Sequence, residues 1–174
     1  ARPKLEYVRL SPPKDAFDYR FDEPEFKDLD VACWDIRKAA ELFWKSNPPL
    51  IEWMGSPIVY QEDSYITPML RECASLYFDR KKSAYHYLSM AKGIWNEISD
   101  ASEVKRKKYL YVLRPLACIR WLFQEYSIPP TQFFSVVNSI PWPFEIKQAV
   151  HRLVEEKQTG VELGVGPIDP ILHD

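Results

Sequence analysis

The residues able to do chemistry are scattered along this chain and fall into a few charged or aromatic groups. Asp30 sits in the alternating stretch Asp28–Trp34, flanked by Leu29 and Val31. A carboxylate there could ligate a divalent metal, or it could be an ordinary charge on an edge strand. Lys45-Ser46-Asn47 precedes Pro48. A lysine at one helix end and free N–H groups at the next helix start suit a phosphate. The same residues also read as Asn47 capping a helix beside a solvated Lys45.

Two basic runs follow, Arg80–Lys82 and Lys105–Lys108. Both stand where helices are expected to begin, and cations there oppose the helix dipole, so local helix stability does not account for them. Tyr85, Tyr87, Tyr109 and Tyr111 interleave with these runs. Basic groups with aromatics suit single-stranded RNA or a nucleoside triphosphate, and the competing reading is a solvated charge run. Arg114 lies on a largely apolar helix and needs a carboxylate, for which Glu41, Glu52 and Glu97 are candidates. His86 stands between two tyrosines and off the apolar stripe of its helix. His151 and His173 have no zinc-ligand spacing with any cysteine, and no Ser-His-Asp or Cys-His order emerges.

The elements that must position these groups are mostly helical. Residues 1–27 read as loop, with a turn at Pro12-Pro13, and Asp28–Trp34 as a short strand in need of a partner. Ile36, Ala39, Ala40, Phe43 and Trp44 make a helical stripe capped by Asp35, and the helix after Asn47 ends near Met54 with Gly55 as a left-handed exit. Thr67-Pro68 and Ser83 open further helices, and Ser102 starts a long one to about Tyr126, bent at Pro115. Helices are expected over Thr131–Ser139 and Pro143–Lys157, followed by a tail from Thr159. The Trp and Phe stripes, Trp44 included, read as core.

Composition sets the class. The 174 residues are 46% hydrophobic and 14% aromatic, enough for a packed core. Five glycines argue against a Gly-rich phosphate loop, and fifteen prolines between apolar blocks suit short, interrupted helices. A net charge of −2 gives no whole-chain case for nucleic acid, so any such surface must be local. Cys33, Cys73 and Cys118 are spaced as reduced thiols of an intracellular, cytoplasmic protein, and no apolar run is long enough for a membrane.

Two blocks, residues 30–60 and 85–115, have more local character than generic helix. Trp34-Asp35-Ile36-Arg37-Lys38-Ala39, Lys45-Ser46-Asn47-Pro48 with Glu52-Trp53, Lys108-Tyr109 and Leu113-Arg114-Pro115 carry it, with Glu162-Leu163-Gly164 and Gly166-Pro167 near the end. Together they resemble the nucleotidyltransferases of the DNA polymerase β superfamily associated with RNA ligases and RNA repair. The resemblance implies a mainly α fold: a remnant of the nucleotidyltransferase α/β sheet over residues 1–34, a helical substrate-binding domain over 35–158 and a C-terminal tail over 159–174. It implies transfer of a nucleotide from a nucleoside triphosphate to RNA or another acceptor, with Mg2+. Asp30 would be the catalytic, metal-binding carboxylate. Lys45, Ser46, Asn47, Lys108 and Arg114 would hold phosphates, and Tyr87 or Tyr109 would pack on a base. The family's Gly-Ser turn and Asp-x-Asp strand are missing, so the chain looks cut in mid-domain, and neither Mg2+ nor nucleotide is expected to bind it tightly alone. The alternative is a catalytically dead scaffold or RNA-binding subunit, with an exposed sheet edge for a protein partner.

Overall fold

The computed structural model describes residues 14–20, 22, 23, 25, 26, 29–158 and 164–173. The Pro12-Pro13 turn and the Glu162-Leu163 pair lie outside them. Eight helices and four short strands are seen among the described residues.

The first element among the described residues is a hairpin, where a loop was expected. β1 (Ala16–Arg20) pairs antiparallel with β2 (Asp30–Trp34), with Ala16 opposite Trp34 and Arg20 opposite Asp30. The expected strand thus finds its partner in a segment read as loop. The aromatic and charged alternation of Phe17-Asp18-Tyr19-Arg20 was strand-like, but only the pairing fixes it. Trp34 stacks on Trp53 with ring centroids 4.1 Å apart, which ties the hairpin to the helical body.

α1 (Ile36–Trp44) is capped by Asp35, whose carboxylate accepts from the N–H of Arg37 at 3.0 Å. α2 (Pro48–Met54) is capped by Asn47, whose Oδ1 accepts from the N–H of Leu50 at 3.3 Å. Asn47→Ala removes that acceptor and is expected to cost about 1 kcal/mol. In a thermal melt this is a drop of roughly 2–4 °C, and an unchanged melt would count against the cap. Gly55 ends α2 at φ −93°, so it is not a left-handed exit; the positive φ in this region falls on Ser46 instead.

α3 (Ile66–Leu76) starts one residue before Thr67-Pro68, and its first amides are met by Asp63, which accepts from the N–H groups of Tyr65 and Ile66. α4 (Arg80–Asn96) begins three residues before Ser83 because Asp79 is its cap. Ser83 is buried inside the helix and donates to the carbonyl of Ser46. The segment after Ser102 is not helical at first. Glu103–Lys105 form β3, which pairs antiparallel with β4 (Val165–Pro167), and α5 runs Lys107–Gln124 through Pro115. Local pattern had no access to this pairing, since β4 comes from the far end of the chain. α6 (Phe133–Val137), α7 (Phe144–Gln158) and α8 (Pro170–His173) complete the order.

The main core lies where α4 and α5 pack together and α6 and α7 close over them, around Tyr109, Cys118, Leu122, Val136, Val150 and Leu153. A second, smaller core joins α1, α2 and α3 around Ala39, Phe43, Leu50 and Ala74. The stretch read as a tail also contributes, because Leu172 of α8 packs on the main core. Among the described residues no helix is long and apolar enough to cross a membrane.

Candidate functional site

The joint after α1 decides what the surface presents. Lys45 caps α1, and Ser46 turns the chain with φ +50°, a left-handed value that costs a non-glycine residue roughly 1–2 kcal/mol. Its surroundings hold it there. The Ser46 hydroxyl donates to the carbonyl of Tyr77 at 2.9 Å and accepts from the N–H of Asp79 at 2.8 Å. Its own carbonyl accepts from Ser83 Oγ at 3.1 Å. The side chain is fully buried. Ser46 is therefore a joint between α1, the α3–α4 connection and α4, and in this arrangement its hydroxyl is not presented to a phosphate. Asn47 is similarly engaged as the cap of α2.

This joint sets the last turn of α1 against the first turns of α4. Between them runs an open groove of about 620 Å3, lined by Trp44, Lys45, Lys82, Tyr85, His86 and Ser89. The α4 residues follow i, i+3, i+4, i+7 and share one face of the helix. Trp44 is 69% exposed and Tyr85 63%. Lys45 Nζ lies 3.9 Å from Glu41, a loose surface pair worth little. Lys82 Nζ donates to the carbonyl of Trp44 at 3.3 Å and sits 5.5 Å from the centre of its ring. Among the described residues the lining thus carries two cations, two exposed rings, an imidazole and a hydroxyl, with no carboxylate. The first-turn amide of Lys82 is already taken by Asp79, whose carboxyl is held below its ordinary value chiefly by that hydrogen bond.

The structure separates the other expected residues from this groove. Tyr87, one residue past His86, points inward. Its hydroxyl donates to Glu52 Oε1 at 2.7 Å. Arg114 Nη2 stands 2.8 Å from Glu52 Oε2, so Glu52 is the partner chosen among the three candidates. Burial tends to lower the Arg114 pKa, but the Glu52 carboxylate outweighs it and the net shift is upward. Burial also pushes the nearby Cys118 thiol up to about 11. Tyr109 is 1% exposed, and its hydroxyl accepts from the N–H of Asp169 and lies 3.1 Å from His173 Nδ1. His173 Nε2 meets the carbonyl of Ser99 at 3.1 Å, so that nitrogen donates. Neither tyrosine offers a face to a base here, because each is spent on holding helices together. Lys108 is paired with Glu97 and Arg106 with Glu156, so two of the four residues of the second basic run are answered by carboxylates.

Asp30 is exposed at the far end of β2, roughly 13 Å along the strand from Trp34. Among the described residues no group of three or more His, Cys, Asp and Glu side chains is placed to hold a metal. These residues by themselves therefore do not fit a magnesium site. Sequence reasoning misplaced Trp44 in the core, although its position as the last residue of α1, next to Lys45, was a signal of exposure. It also left Glu52 as one option among three, although Glu52 ties together α2, α4 and α5, and its carbonyl accepts from Thr131 at 2.9 Å.

The family described as RlaP, RNA repair pathway DNA polymerase beta family, matches residues 1–174. The "Uncharacterized protein YcgL" of Bacillus subtilis (strain 168) is 36% identical over 172 residues, which are 98% of this chain and 65% of that protein. The chain thus spans just under two thirds of the length of this curated relative. No solved structure matches it.

Proposed function

Because this chain belongs to the RNA repair pathway DNA polymerase beta family, we propose that it is the substrate-binding helical part of a nucleotidyltransferase that adds a nucleotide from a nucleoside triphosphate to RNA. The observation that carries this reading is the groove between α1 and α4, where Lys45 and Lys82 stand beside the exposed rings of Trp44 and Tyr85. Cations attract the phosphates of a nucleotide or an RNA end, and the rings suit its bases. The carboxylates that hold Mg2+ and activate the attacking hydroxyl would lie outside these 174 residues, in a part of the protein corresponding to the further third of the Bacillus relative. This chain's share of the work is then to bind and orient.

The test is incorporation of labelled nucleotide into RNA by the full-length protein with Mg2+. Wild type is expected to incorporate, and the exposed charge reversals Lys45→Glu and Lys82→Glu together are expected to lower the rate roughly tenfold or more. Failure to incorporate any of the four nucleotides would rule out the transferase reading. RNA binding that survived such a failure would favour a non-catalytic RNA-binding subunit.

A further inference from the structure

We infer that the α1–α4 groove seats the acceptor, an unpaired polynucleotide strand, rather than the nucleoside triphosphate. This rests on the reading of the groove given above and assigns its occupant.

The composition of the lining makes the distinction. A triphosphate travels with magnesium and concentrates its charge in a small volume, so its sites combine carboxylates for the metal with converging backbone N–H groups for the phosphates. Among the described residues no carboxylate lines the groove, and the one beside it, Glu41, makes only a loose 3.9 Å pair with Lys45. Two helix-start amides of these elements are already used, that of Lys82 by Asp79 and that of Leu50 by Asn47. The Asp79 carboxylate also places negative charge at the start of α4, where a triphosphate would need the opposite. What the groove does offer is one exposed ring from the end of α1, one from α4, and two lysines, Lys45 next to Trp44 in the chain and Lys82 over its ring.

That arrangement suits a chain of bases and singly charged phosphates. Stacking needs no particular base, and an open groove lets the strand enter and leave without threading. A duplex fits poorly, because its bases are already stacked on one another. Ser89 and His86 add a hydroxyl and an imidazole at the same face of α4, within the reach of sugar hydroxyls.

The experiment is fluorescence anisotropy of the full-length protein with a labelled single-stranded oligonucleotide of about eight nucleotides, as oligo-U RNA and as oligo-dT DNA. Binding is expected for the single strand and much less for a duplex. Its log–log salt slope should include about −1.4 from the two lysines, and each single charge reversal should remove about 0.7 of it. Trp44→Ala and Tyr85→Ala should each weaken binding by about 5-fold to 150-fold, the worth of one stacked base. Both side chains are exposed, and an unchanged thermal melt would show that the variants fold. Tighter binding of RNA identifies the acceptor as RNA, whereas equal binding extends the same strand chemistry to DNA. Magnesium ATP in excess should leave the labelled strand bound. If magnesium ATP displaces it and Trp44→Ala weakens ATP binding, the groove is a triphosphate seat: this inference fails while the proposed function stands. If neither strand nor ATP responds to any groove substitution, this inference fails and the groove no longer carries the proposed function, which the incorporation assay then decides separately.

Discussion

Glu52→Gln is expected to destabilise the protein by about 3 kcal/mol, the lower end of the range for breaking a buried ion pair. Glu52 and Arg114 side chains are only 17% and 21% exposed, so water replaces little of what the substitution removes. The amide cannot balance the Arg114 charge, and it is a weaker acceptor for the Tyr87 hydroxyl. The loss should appear as a lower urea midpoint and a melting temperature reduced by roughly 6–12 °C. Arg114→Met in the Glu52→Gln background should restore much of it, since the stranded charge is then gone. A single substitution that costs under about 1 kcal/mol would show that solvent, not Glu52, satisfies Arg114. Because Glu52 joins α2 to α4 and α5, its loss should also loosen the α1–α2 corner that carries Lys45, and so weaken the groove indirectly.

Stability should also fall in alkaline solution, through the same cluster. Burial, reinforced by the Glu52 charge and opposed by Arg114, raises the Cys118 pKa to about 11. Burial and the Glu52 carboxylate also raise that of Tyr87. A group whose folded pKa is raised holds its proton more tightly when folded. Its contribution is complete below the unfolded value, near 8.5 for a thiol, and is lost as pH rises through the folded one. For Cys118 this is roughly 2–3 kcal/mol lost between about pH 8.5 and 11, with Tyr87 adding in the same direction above about pH 10. Urea titrations across that window should show the decline, and Cys118→Ala should flatten its lower part. An equally steep decline in that variant would place the sensitivity elsewhere, among the exposed tyrosines and lysines.

The two predictions share a cause that the groove does not. Glu52, Tyr87, Arg114 and Cys118 form a polar knot within the helical body, whereas Trp44, Lys45, Lys82 and Tyr85 are displayed on its surface. Tyr85 and Tyr87 are two residues apart on α4, and two residues on a helix turn the side chain through more than half a circle. One therefore meets solvent and the other the core. His86 was already placed off the apolar stripe of α4, so the sequence was informative about the outer face of that helix, though not about Tyr87.

Much was decided within short stretches of chain. Asp35 and Asn47 announced the starts of α1 and α2, because a cap and the amide it receives are only two or three residues apart. The repeat of apolar residues gave the helical class and the inward face of α4. The Trp34–Ala39 and Lys45–Pro48 phrases were enough to indicate the family. What tertiary structure alone decided are the matters that depend on a distant neighbour. β3 is a strand because β4, about sixty residues away, lies beside it. Ser46 is a joint because Tyr77, Asp79 and Ser83 reach it, and Arg114 is neutralised because α2 brings Glu52 to α5. Periodicity tells a side chain which way to turn about its own helix, but not which helix it will meet, and partner identity is what separates a phosphate ligand from a structural ion pair.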